Sequence, residues 1–139
     1  MKKAFVSLLC LVLLIGHAVL AEKAVDLDLS VLSGTVVYSQ VYDMMMQPEQ
    51  YLGRTVRMKG NFSYFQDPQT QNEYFSVIIA DATACCAQGI EFVWAGGHRY
   101  PDDYPPLDTE LTVTGVFGTY DENGYTYLQL TDAEVTWAA

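Results

Sequence analysis

Residues 54–65 read RTVRMKGNFSYF. Val56, Met58, Phe62 and Tyr64 recur at even spacing, with Arg57 and Lys59 between the first of them. That is the period of two expected of a half-buried strand. Gly60 interrupts the pattern. A glycine inside a strand often marks a bulge or sharp bend, as closing a curved sheet demands. A second glycine, Gly115, stands inside ELTVTGVFGTY (residues 110–120) in a similar way. Both strands are therefore expected to bend at their glycines.

On the C-terminal side, DPQTQN (67–72) reads as a turn and EYFSVIIADA (73–82) as a second strand. GIEFVWA (89–95) is a third, with Ile90, Phe92 and Trp94 on one face and Glu91 on the other. GGHRYPDDYPPLD (96–108) is a loop punctuated by Gly and Pro. Residues 110–120 and GYTYLQLTDAEVTW (124–137) make a closing hairpin around DENG, where Asn123-Gly124 is the type I′ signal. VRMKGNFSYFQD followed by YFSVIIADA is echoed by LTVTGVFGTYD followed by YTYLQLTDA, which suggests two similar hairpins.

On the N-terminal side the period lengthens. Val37, Val41, Met44 and Met45 share one helical face, predicting a helix over 37–47. Ser39 is a candidate cap for its start, Pro48 stops it and Gly53 suits a tight exit. The methionine run fits an irregular core gap better than a soft-metal site. Residues 22–36 form a lead-in arm, and 37–139 a single domain. Residues 1–21 have Lys2 and Lys3, an apolar run, and Val19 and Ala21 at the −3 and −1 positions before Glu22. That is the pattern of a cleaved bacterial signal peptide, predicting an exported chain with no membrane span after cleavage. Cys10 follows Leu9 and lies too early to be a lipidation site.

Cleavage leaves about 118 residues, enough to bury a core without disulfide staples. It removes Lys2 and Lys3, leaving 5 basic against 17 acidic side chains, a net charge of −12. An acidic surface repels phosphate backbones and anionic membranes and accepts a cation, a basic partner or a neutral ligand. Nucleic acid is therefore not an expected partner.

Five strands, bends in the first and fourth, and a preceding helix predict a mainly β chain curled into a five-stranded Greek-key barrel. Over YLGRTVRMKGNF, YFSVIIADATA and LTVTGVFGTY the chain resembles the oligonucleotide/oligosaccharide-binding (OB) fold, a likeness covering most of residues 51–137. It departs from that fold in having a proline-rich loop where a helix usually joins strands three and four. Nucleic-acid-binding members present basic and aromatic residues on one face; here Arg54, Arg57 and Lys59 are an island in an acidic chain. DATACCAQGIEFVW (81–94) resembles a stretch found in small exported bacterial proteins, a likeness that carries no activity with it.

Within that stretch Cys85 and Cys86 are neighbours. Three states are open to them. A disulfide between them would be a strained ring, because adjacent Cα atoms lie ~3.8 Å apart and disulfides favour ~4.4–6.8 Å. Such a ring suits a redox switch or a rigid ligand contact better than a staple. Two thiolates would suit zinc or copper(I), with further ligands from His98, Asp81, Glu91, Asp102 or Asp103. Or both are small buried hydrophobes, or one is buried and the other pairs between chains. A simple hairpin would put His98 at the far end of the third strand from the cysteines, about 20 Å away. DENG lacks the spaced oxygen ligands of a calcium loop, and Asn61-Phe62-Ser63 is a glycosylation sequon inside a strand.

The function these features favour is a noncatalytic exported module binding a small ligand or a protein. Tyr100, Tyr104, Tyr120, Tyr125 and Tyr127 are candidates to line a mouth between the 96–108 loop and the closing hairpin. Soft-metal handling through the cysteine pair is the alternative. Thiol redox chemistry is a second one, weakened by the lack of a CxxC pair.

Overall fold

The computed structural model describes residues 23–80 and 86–138. Residues 1–21, expected above to be a signal peptide, and Asp81 and Cys85 lie outside the described residues. Among the described residues the fold is mainly β: six strands in one sheet with one α-helix. In order they are β1 (Leu27–Asp28), α1 (Gly34–Met46), β2 (Thr55–Gln66), β3 (Glu73–Ala80), β4 (Ala87–Trp94), β5 (Glu110–Glu122) and β6 (Tyr125–Trp137). A 3₁₀ turn at Pro48–Gln50 follows α1. The five strands expected from the sequence are β2 to β6, each within two residues of its expected ends.

The sixth strand comes from the arm. Leu27 and Asp28 pair in parallel with Val56 and Arg57. Asp28 sits 3.5 Å from the Arg57 guanidinium, and Leu29 beyond it is buried. The arm is therefore anchored along β2. The helix also begins earlier than 37. Ser33 is its N-cap residue, while the Ser39 hydroxyl bonds within the helix to the Thr35 carbonyl at 3.0 Å. Val37, Val41 and Met44 are buried; Met45, expected on the same face, is exposed. A residue four after Val41 sits about 40° further round the helix, which here carries Met45 past the contact with the sheet.

Antiparallel pairing joins β2 to β3, β3 to β4, and β5 to β6, while β4 pairs with β6 in parallel. β2 also pairs with β5. The path of hydrogen bonds β2–β3–β4–β6–β5 thus returns to β2. The exchange of partners happens at Gly60 and Asn61: residues 55–61 face β5, and 61–66 face β3. A Cβ on Gly60 would stand 2.4 Å from the Ile78 carbonyl oxygen, so glycine there lets two backbones approach closely. Gly115 lies where the β5–β6 register shifts, and a Cβ there would stand 2.9 Å from Leu130 Cβ and Thr131 O. Both glycines stand where the sheet is most tightly packed or irregular. The β5–β6 turn has Asn123 at φ 53° and Gly124 at φ 84°, the left-handed pair of a type I′ turn.

The even-spaced residues form the core. Val56, Met58, Phe62, Val77, Ile90, Phe92, Leu111, Val113, Phe117 and Leu130 all point inward and are buried. Burying a side chain of this size contributes ~1.5–3 kcal/mol, which commits each strand to a single register. Helix α1 packs Val37, Val41 and Met44 into the same core, against β3 and β4.

Candidate functional site

After β4 the chain turns sharply at Gly96 (φ 98°) and Gly97 (φ 74°), backbone angles that glycine adopts without strain. The turn lays His98 back on Trp94, the rings stacked with centroids 3.5 Å apart. The next turn is tied by Asp103, whose carboxylate accepts the Arg99 N–H at 2.7 Å. That tie gives Asp103 a structural role. The loop then drops Tyr104 onto Phe75, with ring centroids 4.4 Å apart, and edge-on to Trp94 at 5.1 Å. Tyr100 stacks on Tyr64 at 3.9 Å. The proline-rich loop thus becomes one wall of an aromatic cluster.

The β5–β6 hairpin forms the opposing wall. Tyr120 and Tyr127, paired across the ladder, stack at 5.4 Å. Tyr120 donates its hydroxyl to Glu91 Oε2 at 2.6 Å. Tyr74 donates to the carboxylate of Glu122 at 2.7–2.8 Å, with Asn72 also reaching it at 3.3 Å. Tyr64 donates to Glu73 at 2.8 Å. Glu91, Glu122 and Glu73 are thus each held by a phenol.

Between these walls lies a cleft of about 390 Å³, floored by β3 and β4 and lined by Tyr74, Phe75, Glu91, Trp94, Tyr104 and Tyr120, with Glu73, His98 and Gln129 at its edges. It runs on into a hollow under the hairpin lined by Phe65, Tyr74, Ser76, Glu122 and Tyr127. A further hollow reaches Met45 on α1, with Glu91 common to all three. Burial chiefly raises the Glu91 carboxyl above its ordinary value; Glu122 pushes the same way and the Tyr120 hydrogen bond opposes it. Burial first, and then the bond to Glu91, raises the Tyr120 phenol. Burial likewise raises Tyr104, and the bond to Glu122 raises Tyr74.

Of the five tyrosines expected at a mouth, Tyr104 and Tyr120 line the cleft and Tyr127 lines its extension. Tyr100 backs the cluster by stacking on Tyr64. Tyr125 is exposed at the hairpin and lines neither hollow. Trp94, Tyr74 and Glu122 belong to the site without having been singled out. The alternation in β3 and β4 puts Tyr74 and Glu91 on the outer face, but only the fold of the hairpin over that face makes them site residues.

The residues proposed for a metal are spread out. Cys86 is exposed just before β4, while His98 lies beyond its other end, stacked on Trp94. Seven residue steps of strand separate those ends, about 23 Å. Glu91 lies five residues from Cys86 and is hydrogen-bonded to Tyr120. Among the described residues no group of three or more His, Cys, Asp or Glu is placed to hold a metal ion. The Cys85–Cys86 ring, Cys85 and Asp81 fall outside the described residues. Also among the described residues, no helix is long and apolar enough to cross a membrane. No protein-family model matches the sequence, and no curated protein matches it.

Proposed function

We propose that β2 to β6 form an OB-like barrel acting as a noncatalytic exported binding module, whose cleft receives a small ligand or a segment of a protein partner. The closed pairing path and the parallel β4–β6 contact support the barrel. One observation carries the binding reading: a 390 Å³ cleft walled by Trp94, Tyr104, Phe75 and Tyr120 around the partly buried Glu91. Ligand sites are concave and largely apolar, with a few convergent polar groups that fix orientation. Aromatic rings supply contact area at low entropy cost. Among the described residues the cleft lining has no serine, threonine or cysteine beside His98, and Tyr120 and Glu91 are engaged with each other, which suits recognition.

The test is a fragment library screened against ¹⁵N-labelled protein purified after export. Binders are expected to shift the Trp94 indole and the Tyr120 and Gln129 amides, and to lose affinity in Tyr104→Ala. Hits that map elsewhere on the surface, or no hit at millimolar concentration, would refute the cleft.

A further inference from the structure

We infer, resting on that reading of the cleft, that its ligand is an organic cation: an ammonium or guanidinium group carried on an apolar body. The argument starts from what the cleft lacks. Among the described residues no Lys or Arg lines the cleft or its two extensions, although Glu73, Glu91, Glu122 and Asp67 do. Among the described residues, Lys23 pairs with Asp132 at 3.0 Å, Arg57 with Asp28 at 3.5 Å and Lys59 with Glu110 at 2.7 Å, and Arg54 lies over the Tyr51 ring. Glu91 is instead held by a single phenol.

A carboxylate offers about four acceptor positions. The Tyr120 hydroxyl fills one on Glu91 and has no second proton to give. Glu91 therefore keeps acceptor positions open, which suits a ligand rich in donors. Charge separates a cation from a polyol. A polyol would supply donors and leave the acidic pocket uncompensated. An ammonium or guanidinium supplies donors and charge together, and its bonds to a carboxylate are shorter and stronger. The aromatic rings lining the cleft offer apolar contact to the body of such a guest. Phe75, Trp94 and Tyr104 line the same cleft as Glu91, so a guest whose head meets Glu91 has apolar lining for its body.

Two sources share this chemistry: a free amine or guanidine, and a Lys or Arg side chain presented by a partner. The experiment titrates the ¹⁵N-labelled exported protein with agmatine, with the neutral analogue butylurea and with acetyl-Gly-Arg-Gly-amide. Agmatine is expected to shift Trp94 and Tyr120 saturably, at least tenfold more tightly than butylurea. Affinity should fall as salt rises from 50 to 500 mM, and Glu91→Gln should weaken binding at least tenfold while preserving the dispersed native spectrum. Glu73→Gln, whose carboxylate already accepts the Tyr64 hydroxyl, should weaken it less. If the peptide binds tenfold more tightly than agmatine, the cation belongs to a partner; if agmatine binds more tightly, it is a free small molecule; both results uphold the inference. Equal binding of agmatine and butylurea, or no loss in Glu91→Gln, overturns it. Should neutral fragments still map to the cleft in that case, the binding reading survives and only the ligand class falls. If nothing maps there, both fall.

Discussion

Replacing Gly60 by alanine tests the close approach on which the sheet turns. The new Cβ would lie 2.4 Å from the Ile78 carbonyl oxygen and 3.0 Å from Val77 Cγ2, roughly 1 Å inside ordinary van der Waals contact at ~3.5–4.0 Å. The obstacle is backbone, and Ile78 is fixed on both sides, by Asn61 of β2 and Gly89 of β4. Relief means moving β3 relative to β2 at the point where β2 changes partner. Overpacking costs ~1–3 kcal/mol; with no flexible side chain to give way, the upper end applies. The β propensity that alanine gains over glycine offsets less than ~1 kcal/mol of that. A net loss of about 2–3 kcal/mol follows, or roughly 8–12 °C in Tm at ~4 °C per kcal/mol for a domain of this size. Gly118→Ala is the control, because a Cβ there meets nothing within 4 Å; it should be neutral or stabilise by ~0.4–1 kcal/mol through the unfolded chain. Urea unfolding followed by tryptophan fluorescence measures both. A Gly60→Ala loss under 1 kcal/mol, or a Gly118→Ala loss as large as that of Gly60→Ala, would refute the argument.

Glu91→Gln should stabilise the protein at neutral pH. A carboxyl raised in the folded state from its ordinary 4.5 contributes stability that is intact below that value and is lost as pH rises through the folded value. The advantage of the variant should therefore vanish below about pH 4, and unfolding curves showing the same gain at pH 3.5 and pH 7 would contradict the burial of Glu91. Single-stranded DNA should not bind at physiological salt, because phosphate neutralisation by Lys and Arg supplies most nonspecific affinity; submicromolar binding by fluorescence anisotropy would overturn this. His98→Ala should leave any zinc or copper content unchanged, since the ring stacks on Trp94 at the opposite end of β4 from Cys86; elemental analysis showing a loss would bring His98 back as a ligand. Exported material should begin near Glu22 by intact-mass spectrometry, and a chain retaining residues 1–21 would defeat the leader reading.

The sequence by itself determined which residues make strands and which side each presents. Alternation of apolar side chains set β2 to β6, because a slip of one residue would turn Phe62, Ile90 or Phe92 out to water. Asn123-Gly124 set the last turn, since few other pairs tolerate two left-handed residues. Gly60 and Gly115 marked the places that need a missing side chain. The arm escaped this logic: two paired residues, Leu27 and Asp28, are too few to show a period, and their place depends on a parallel neighbour in β2. The start of α1 at Gly34 was equally hidden, because Ser33 and Ser39 are both chemically able to cap and only packing of Val37 against the core chooses between them. The site belongs to tertiary structure almost entirely. Glu91, Tyr120, Tyr74 and Glu122 are distant in sequence and look like ordinary outward-facing positions until the long β5–β6 hairpin folds across β3 and β4. Burial and charge neighbours then depend on contacts between strands up to 48 residues apart, which no local pattern of residues encodes.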